Sequence, residues 1–538
     1  MSRAPSAITL RALSFEWPDG LRALERIDGT ITTGRTGLVG RNGAGKSTLL
    51  RIIAGRLEPT SGQVVTTGEV GYLPQTLALD PTTTVAELLG IDETLRALRA
   101  IEAGDVDERH FDTVGDDWDI EARATETLHD MGFAGIDLDR RVKEVSGGEA
   151  MLIAIIGLSI HRTPITLLDE PTNNLDRPTR ARLARLIDAW PGTLVVVSHD
   201  LDLLDHMDAT AELHSGGIEV FGGNYTAWAE YQQREQAAAA QGARTAQQAL
   251  NAEKRLRAEA ETKSARRERA GKKTQREGGI PKILAGTRAN KAQVRAGSMR
   301  STHDDRVGAA QAAVDAADAR VRDDEHIHLE LPNPDVPRGR RIAVIHGSAR
   351  SIVVQGPERV AIVGPNGAGK STLIEQLVTG ARATPGRTWG ELLTDRVGYL
   401  PQRLDGLDDT ASALDSVAQV APGVTRGEIR NRLARLLLRG DSVDRPIGTL
   451  SGGERFRVAL ARLLFADPPA QLLVLDEPTN NLDIQSVEQL AEALDSYRGA
   501  IIVVSHDDAF LDRLHVDTVI ELDHSGDMHS GDLATPGA

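Results

Sequence analysis

The sequence predicts an α/β protein made of two homologous domains joined by a long α-helical hairpin. Three observations carry that prediction. Five short phrases occur twice, in the same order both times. Each copy sits among alternating β-type and helix-type runs. Residues 225–325, between the copies, match neither half and have a helix-forming composition.

The repeats set the boundaries. GRNGAGKST at 40–48 returns as GPNGAGKST at 364–372, and GYLPQ at 71–75 returns at 398–402. SGGE at 146–149 returns at 451–454, LDEPTNNLD at 168–176 returns at 475–483, and VVVSHD at 195–200 returns as IVVSHD at 502–507. One domain therefore covers 1–224 and the other 326–538. In each, an apolar run (RTGLVG, RVAIVG) feeds a Gly-rich loop and then a helical pattern (STLLRIIAG, STLIEQLVTG). TLLD and LLVLD are apolar runs ending in acids, and TLVVVS and AIIVVS are β-branched runs of buried-strand type. Strands alternating with helices imply a largely parallel sheet. The longest apolar run, Met151–Ile160, falls short of the roughly 20 residues a bilayer span needs. It reads as a buried helix, and no segment is expected to cross a membrane unaided.

The intervening segment reads as two helical arms. Tyr225 to Lys273 contains no Pro and is rich in Ala, Gln, Glu, Arg and Lys. GGIPKILAG at 278–286 is a breaker, expected as the hairpin tip, and a second Pro-free arm runs from Thr287 to Glu325. Between 251 and 300 stand 15 Lys and Arg against 5 Asp and Glu, in a chain of formal net charge −16. A basic projection on an acidic protein suits phosphate backbones, where each neutralised phosphate releases a counterion. RNA is the expected partner, read by shape and charge more than by sequence. Arg266, Arg267, Arg269, Lys272 and Lys273 are the candidate contacts; a charge-rich tether is the bland alternative.

The repeated phrases are those that handle phosphates. G-x-x-x-x-G-K-[ST] turns backbone N–H groups inward around phosphate oxygens and adds the positive end of a helix. In the first copy this assigns Gly40, Asn42, Gly43, Gly45, Lys46, Ser47 and Thr48 to nucleotide binding. In the second it assigns Gly364, Asn366, Gly367, Gly369, Lys370, Ser371 and Thr372. The lysines would reach the β- and γ-phosphates, and Ser47 and Ser371 would hold Mg²⁺. Asp169 and Asp476 close apolar strands where a carboxylate can hold the metal, and Glu170 and Glu477 follow, suited to polarising an attacking water. His199 and His506 recur in register and read as γ-phosphate contacts.

With these motifs in both halves, the chain resembles the ATP-binding cassette ATPases, and SGGE matches that family's signature. The resemblance implies two P-loop ATP-binding cassette domains in tandem, facing head to tail, with ATP and Mg²⁺ as ligands. Each nucleotide would lie between one phosphate loop and the other cassette's signature. One site would join Lys46, Gln75, Asp169, Glu170 and His199 to Ser451, Gly452, Gly453 and Glu454. The other would join Lys370, Gln402, Asp476, Glu477 and His506 to Ser146, Gly147, Gly148 and Glu149. Gln75 and Gln402 would complete the metal shells, and the NNLD segments ending at Asp176 and Asp483 would cross the seam. Trp17 resembles the family's adenine-stacking aromatic, with no equivalent expected around 337–341. Because Ala150 stands where the second half has Arg455, and basic residues line only the second signature helix, unequal nucleotide handling is expected.

Two fused cassettes, no membrane span and a basic helical linker resemble the F class of these proteins, which are ribosome-associated. That implies a cytoplasmic ATPase, working as a monomer through intramolecular cassette pairing and without a membrane subunit. Its linker would act near the tRNA exit site and the peptidyl-transferase centre. Antibiotic protection and a general translation-factor role both remain open. The longer spacing from Gln75 to Ser146 allows a small helical insertion over 91–119, short for a stalk-contacting arm, which favours protection. A pair of fused transporter ATPase domains is the rival reading, but it leaves the basic hairpin unexplained. The lack of any Cys excludes zinc-dependent excision-repair and iron–sulfur recycling relatives.

Overall fold

The computed structural model describes residues 8–77, 80–173, 175–214, 217–276, 282–319, 331–381, 387–402, 406–480 and 482–531. They fall into two compact units: Met1–Tyr225 with His326–Ala538, and Thr226–Glu325.

The first unit contains one α/β architecture twice. In the first copy Gly34–Val39 is the central strand, with Thr193–Val197 and Ala209–His214 parallel on either side. Ile165–Asp169 and Val70–Leu73 extend the sheet one way in parallel, and Gly217–Phe221 closes the other edge antiparallel. The second copy repeats this order as Val397–Leu400, Leu472–Asp476, Ala500–Val504, Arg359–Val363, Thr518–Leu522 and Met528–Gly531. Every residue of Ile165–Asp169, Thr193–Val197, Leu472–Asp476 and Ala500–Val504 is buried, as expected for parallel strands covered on both faces.

A three-stranded antiparallel sheet accompanies each copy, and the sequence reading does not anticipate it. It comprises Arg22–Ile31, Ile8–Glu16 and Ser61–Thr66 in the first half, and Ser351–Gln355, Arg341–His346 and Trp389–Leu392 in the second. Strands such as ITLRALSFE bury one face only and are broken by bulges, so they lack the continuous β-branched run that marks the parallel core. This sheet and the phosphate-loop helix form one hydrophobic cluster in each half, and the helical layer forms another.

The apolar run at 151–160 lies in the helix Gly147–Ile160, which buries 10 of its 14 residues. A helix apolar on all sides belongs inside a domain. The longer spacer in the first half holds the helices Asp92–Glu102, Glu108–Val114 and Ile120–Asp130. Among the described residues no helix is long and apolar enough to cross a membrane.

The second unit is built on two helices, Tyr225–Arg276 of 52 residues and Lys282–Asp318 of 37. At 1.5 Å per residue the first is about 78 Å long. Arg257 Nε lies 3.1 Å from Asp304 Oδ1 and ties the two helices together. The breaker proves narrower than GGIPKILAG: helix resumes at Lys282, because a proline just before a helix costs no intrahelical bond. Residues 277–281 lie outside the described residues, as does the expected end of the second arm at 320–325. Arg266 and Arg269 are exposed; the side chains of Arg267, Lys272 and Lys273 lie outside the described residues.

Candidate functional site

Each phosphate loop links the central strand to a helix, Lys46–Ile53 or Lys370–Thr379. Gly45 (φ 92°) and Gly369 (φ 92°) are the left-handed N-caps of those helices. A Cβ on Gly45 would come within 2.6 Å of the Ala23 carbonyl oxygen, so no other residue fits without moving backbone. Lys46 Nζ donates to the carbonyls of Gly40 (2.7 Å) and Arg41 (3.2 Å), and Lys370 Nζ to those of Gly364 (2.8 Å) and Pro365 (3.0 Å). Burial lowers both ammonium pKa values; Glu170, Asp483 and Asp169 oppose this at Lys46, and Glu477, Asp176 and Asp476 at Lys370.

Ser47 Oγ donates to Asp169 Oδ1 at 2.9 Å, and Ser371 Oγ to Asp476 Oδ1 at 3.1 Å. A hydroxyl beside a carboxylate at a helix N-terminus is an all-oxygen donor set that fits Mg²⁺. Burial raises both aspartates above the ordinary range. Their surroundings differ, since Arg51 opposes that shift at Asp169 while Glu375, at the equivalent position, adds to it at Asp476.

The next residue, Glu170 or Glu477, turns its backbone into the left-handed region (φ 52° and 46°). Each is held there by its N–H, which donates to the carbonyl of Val197 (2.8 Å) or Val504 (2.9 Å). A non-glycine residue pinned at positive φ stores about 1–3 kcal/mol of strain, and such residues concentrate at functional sites. Burial pushes Glu170 up to about 8 and Glu477 up to about 7, while His199 and His506 are pushed down to about 3. His199 Nε2 lies 3.1 Å from Glu170 Oε1, and His506 Nε2 lies 3.4 Å from Glu477 Oε1. Burial thus works against charge on both members of each pair, raising the carboxyl and lowering the imidazole. Neither ring nitrogen of His506 has a hydrogen-bond partner among the described residues, so a buried donor is left facing the site.

Two equivalent contacts recur where the halves meet. Asp176 caps the helix Arg177–Asp188 with Oδ1, accepting from Thr179 N at 3.1 Å, and its Oδ2 accepts from Asn366 N in the opposite phosphate loop at 3.1 Å. Asp483 caps Ile484–Asp495 through Ser486 N at 2.8 Å and accepts from Asn42 N at 2.7 Å. Burial pushes both aspartates up, but these hydrogen bonds outweigh it and hold them below the usual carboxylate range.

Ser146 and Ser451 use their side chains as N-caps, each in a reciprocal box with Glu149 or Glu454. Ser146, Gly147, Ser451 and Gly452 are exposed; Gly148 is buried and Gly453 half-buried. Gln75 and Gln402 are exposed two residues beyond strands that pair with those carrying Asp169 and Asp476. Thr48 is buried in the first loop's helix, whereas Thr372 is exposed. Trp17 is half-buried and packs edge-on against Phe15, ring centroids 4.9 Å apart.

In the second half, where no counterpart of Trp17 is expected around 337–341, His346 stacks on Trp389 at 4.2 Å across the equivalent antiparallel sheet. Arg455 contacts Asp409 at 2.5 Å and Arg462 contacts Ser416 at 2.8 Å, so these basic residues brace the second signature helix within its own cassette. Tyr72, which the sequence reading passed over, brings its hydroxyl 3.4 Å from Asp169 Oδ2; its recurrence in GYLPQ was the available signal.

Fold and site together define a tandem phosphate-loop protein whose cassettes face each other head to tail. The family profile described as ABC transporter matches residues 24–173 and 350–480. Tylosin resistance ATP-binding protein TlrC of Streptomyces fradiae is 32% identical over 94% of this chain and 96% of its own length. ABC transporter F family member 5 of Arabidopsis thaliana is 30% identical over 95% of this chain and 75% of its own. Energy-dependent translational throttle protein EttA of Escherichia coli is 30% identical over 89% and 85% respectively. The chain belongs to the F class of the ATP-binding cassette family, a family of ATP-hydrolysing domains. Among solved structures, the archaeal recycling factor aABCE1 in complex with stalk protein aP1 shares the fold, with a TM-score of 0.53 at 20% identity over 95% of this chain and 87% of that one.

Proposed function

We propose that the chain is a cytoplasmic ATPase that acts on the ribosome as a monomer, with cassettes over 1–224 and 326–538 and a basic linker over 225–325. The observation that carries this reading is the reciprocal seam, Asn42 N to Asp483 and Asn366 N to Asp176. Each cassette already touches the other's phosphate loop, as composite sites require. Gly40, Asn42, Gly43, Gly45, Lys46 and their counterparts Gly364, Asn366, Gly367, Gly369 and Lys370 cradle the phosphates. Ser47 with Asp169, and Ser371 with Asp476, would hold Mg²⁺, which neutralises phosphate charge when bound; Gln75 and Gln402 stand at the same sheet edge. Glu170 and Glu477 orient the attacking water, and His199 and His506 face the terminal phosphate. Ser146 to Glu149 and Ser451 to Glu454 close over the opposite nucleotide, and closure follows from tighter ATP binding in the closed state.

The linker's charge supports a nucleic-acid partner, with ribosomal RNA and tRNA as the candidates. A tylosin resistance protein similar over nearly its whole length supports protection from large-subunit antibiotics; the similarity to a translational throttle supports the translation-factor role. The test is ribosome pelleting of the Glu170→Gln, Glu477→Gln double variant. ATP-dependent trapping is expected, and failure to co-sediment at low salt overturns the reading. Loss of drug tolerance in a deletion strain separates protection from the general role.

A further inference from the structure

The two seams share their aspartate contacts but differ immediately beyond them. After Asp176 the chain reads Arg177, Pro178, Thr179, Arg180; after Asp483 it reads Ile484, Gln485, Ser486, Val487. Arg177 Nη2 is hydrogen-bonded to Asp508 Oδ1 of the second cassette. Arg180 Nη1 donates to the backbone carbonyl of His506 at 3.4 Å and to Asp200 Oδ2 at 2.9 Å, while its Nε donates to the Leu175 carbonyl at 3.2 Å. Arg180 thus bridges the loops that follow both β-branched strands. At the mirror seam the corresponding positions are Ile484, Val487 and, in place of Asp508, Leu201. None of those side chains can form these bonds.

The acceptors in the second cassette, the His506 carbonyl and Asp508, belong to the segment that follows the strand Ala500–Val504. His506 Nε2 lies 3.4 Å from Glu477 Oε1, so the residue whose carbonyl Arg180 holds is the one whose ring meets Glu477. Arg177 and Arg180 keep side-chain exposures of only 29% and 23%, and a partly shielded pair in a network contributes more than an isolated surface pair.

We propose that Arg177 and Arg180 are positioning residues for the Glu477–His506 site: a latch from the first cassette that aligns this histidine loop when the seam closes, with no counterpart over the Glu170–His199 site. The asymmetry between the two ATP sites then resides in the seam, and not in the basic residues of the second signature helix. The proposal rests on the ATPase reading above.

Single-turnover phosphate release from the full chain tests it in two backgrounds. Glu170→Gln isolates the Glu477 site, and Glu477→Gln isolates the Glu170 site. Arg177→Ile and Asp508→Leu, which install the residues of the mirror seam, are each expected to slow the Glu477 site about five- to tenfold. The Glu170 site should be unchanged. The exchange Arg177→Asp with Asp508→Arg should recover most of the rate, which a packing defect would not allow. Equal slowing in both backgrounds, no slowing at the Glu477 site, or failure of the exchange to recover overturns the latch. Absence of hydrolysis in both parent backgrounds would instead overturn the ATPase reading.

Discussion

Replacing Glu170 by Gln should stabilise the nucleotide-free protein, and the gain should grow with pH. Glu170 is almost wholly buried, and burial raises its pKa from 4.5 to about 8. A group with a raised folded pKa contributes its full stability below the unfolded value and loses it as pH rises through the folded one. By pH 8 the wild-type carboxylate has forfeited about 4 kcal/mol relative to pH 4. Gln cannot ionise and forfeits nothing. Removing Glu170 also removes its support for the buried Lys46 ammonium, so the net gain at pH 8 is about 1–3 kcal/mol, with little gain at pH 5. Thermal melting without nucleotide or Mg²⁺ reads this out, at about 2–4 °C per kcal/mol for a domain of this size. An identical shift at pH 5 and pH 8, or a lower melting temperature at pH 8, would refute the reasoning.

Asp483→Ser keeps a helix cap but should lose the bond to Asn42 N, weakening ATP-driven closure by about 1–2 kcal/mol, as read by distance labels on the two cassettes. Because hydrogen bonds hold Asp176 and Asp483 below the usual range, their contribution should be complete above about pH 4 and be lost as pH falls through the lowered values. Acid titration of wild type against Asp176→Asn, Asp483→Asn checks this, with a constant difference counting against it. Neutralising the exposed Arg266 and Arg269 to Gln should weaken ribosome binding and reduce its logarithmic salt slope by about 1.4–1.8, if each contacts one phosphate. An unchanged slope would remove those arginines from the contact.

What the sequence reveals follows from duplication. A phrase that returns in order exposes itself, so both phosphate loops, Asp169 and Asp476, the Glu–His pairs and the NNLD aspartates are legible, and the structure brings each set together. Features carried by only one half give no such signal. Arg177, Arg180 and Asp508 look like ordinary surface charge until the seam is built, and Arg51 and Glu375 until Asp169 and Asp476 are placed. The antiparallel sheets escape for another reason: their strands bury one face and are interrupted by polar residues and bulges. Arg455 has no counterpart in the first half, where Ala150 stands, and its partner Asp409 within its own cassette appears only in the structure.

The coupling between halves reduces to how one carboxylate divides its two oxygens. Oδ1 of Asp176 is committed to Thr179 N on its own helix, and Oδ2 to Asn366 N on the opposite loop. With the first oxygen fixed, the second can follow the opposite loop only if helix and cassette move with it, since the buried strands behind them do not deform independently. A shift of one phosphate loop is therefore felt by the other cassette as a rigid displacement. A hydroxyl could cap the helix, and an amide could offer one acceptor, but neither supplies two charged acceptors on one short, rigid stem. That requirement, met twice at Asp176 and Asp483, explains in physical terms why an aspartate closes the repeated phrase in both halves.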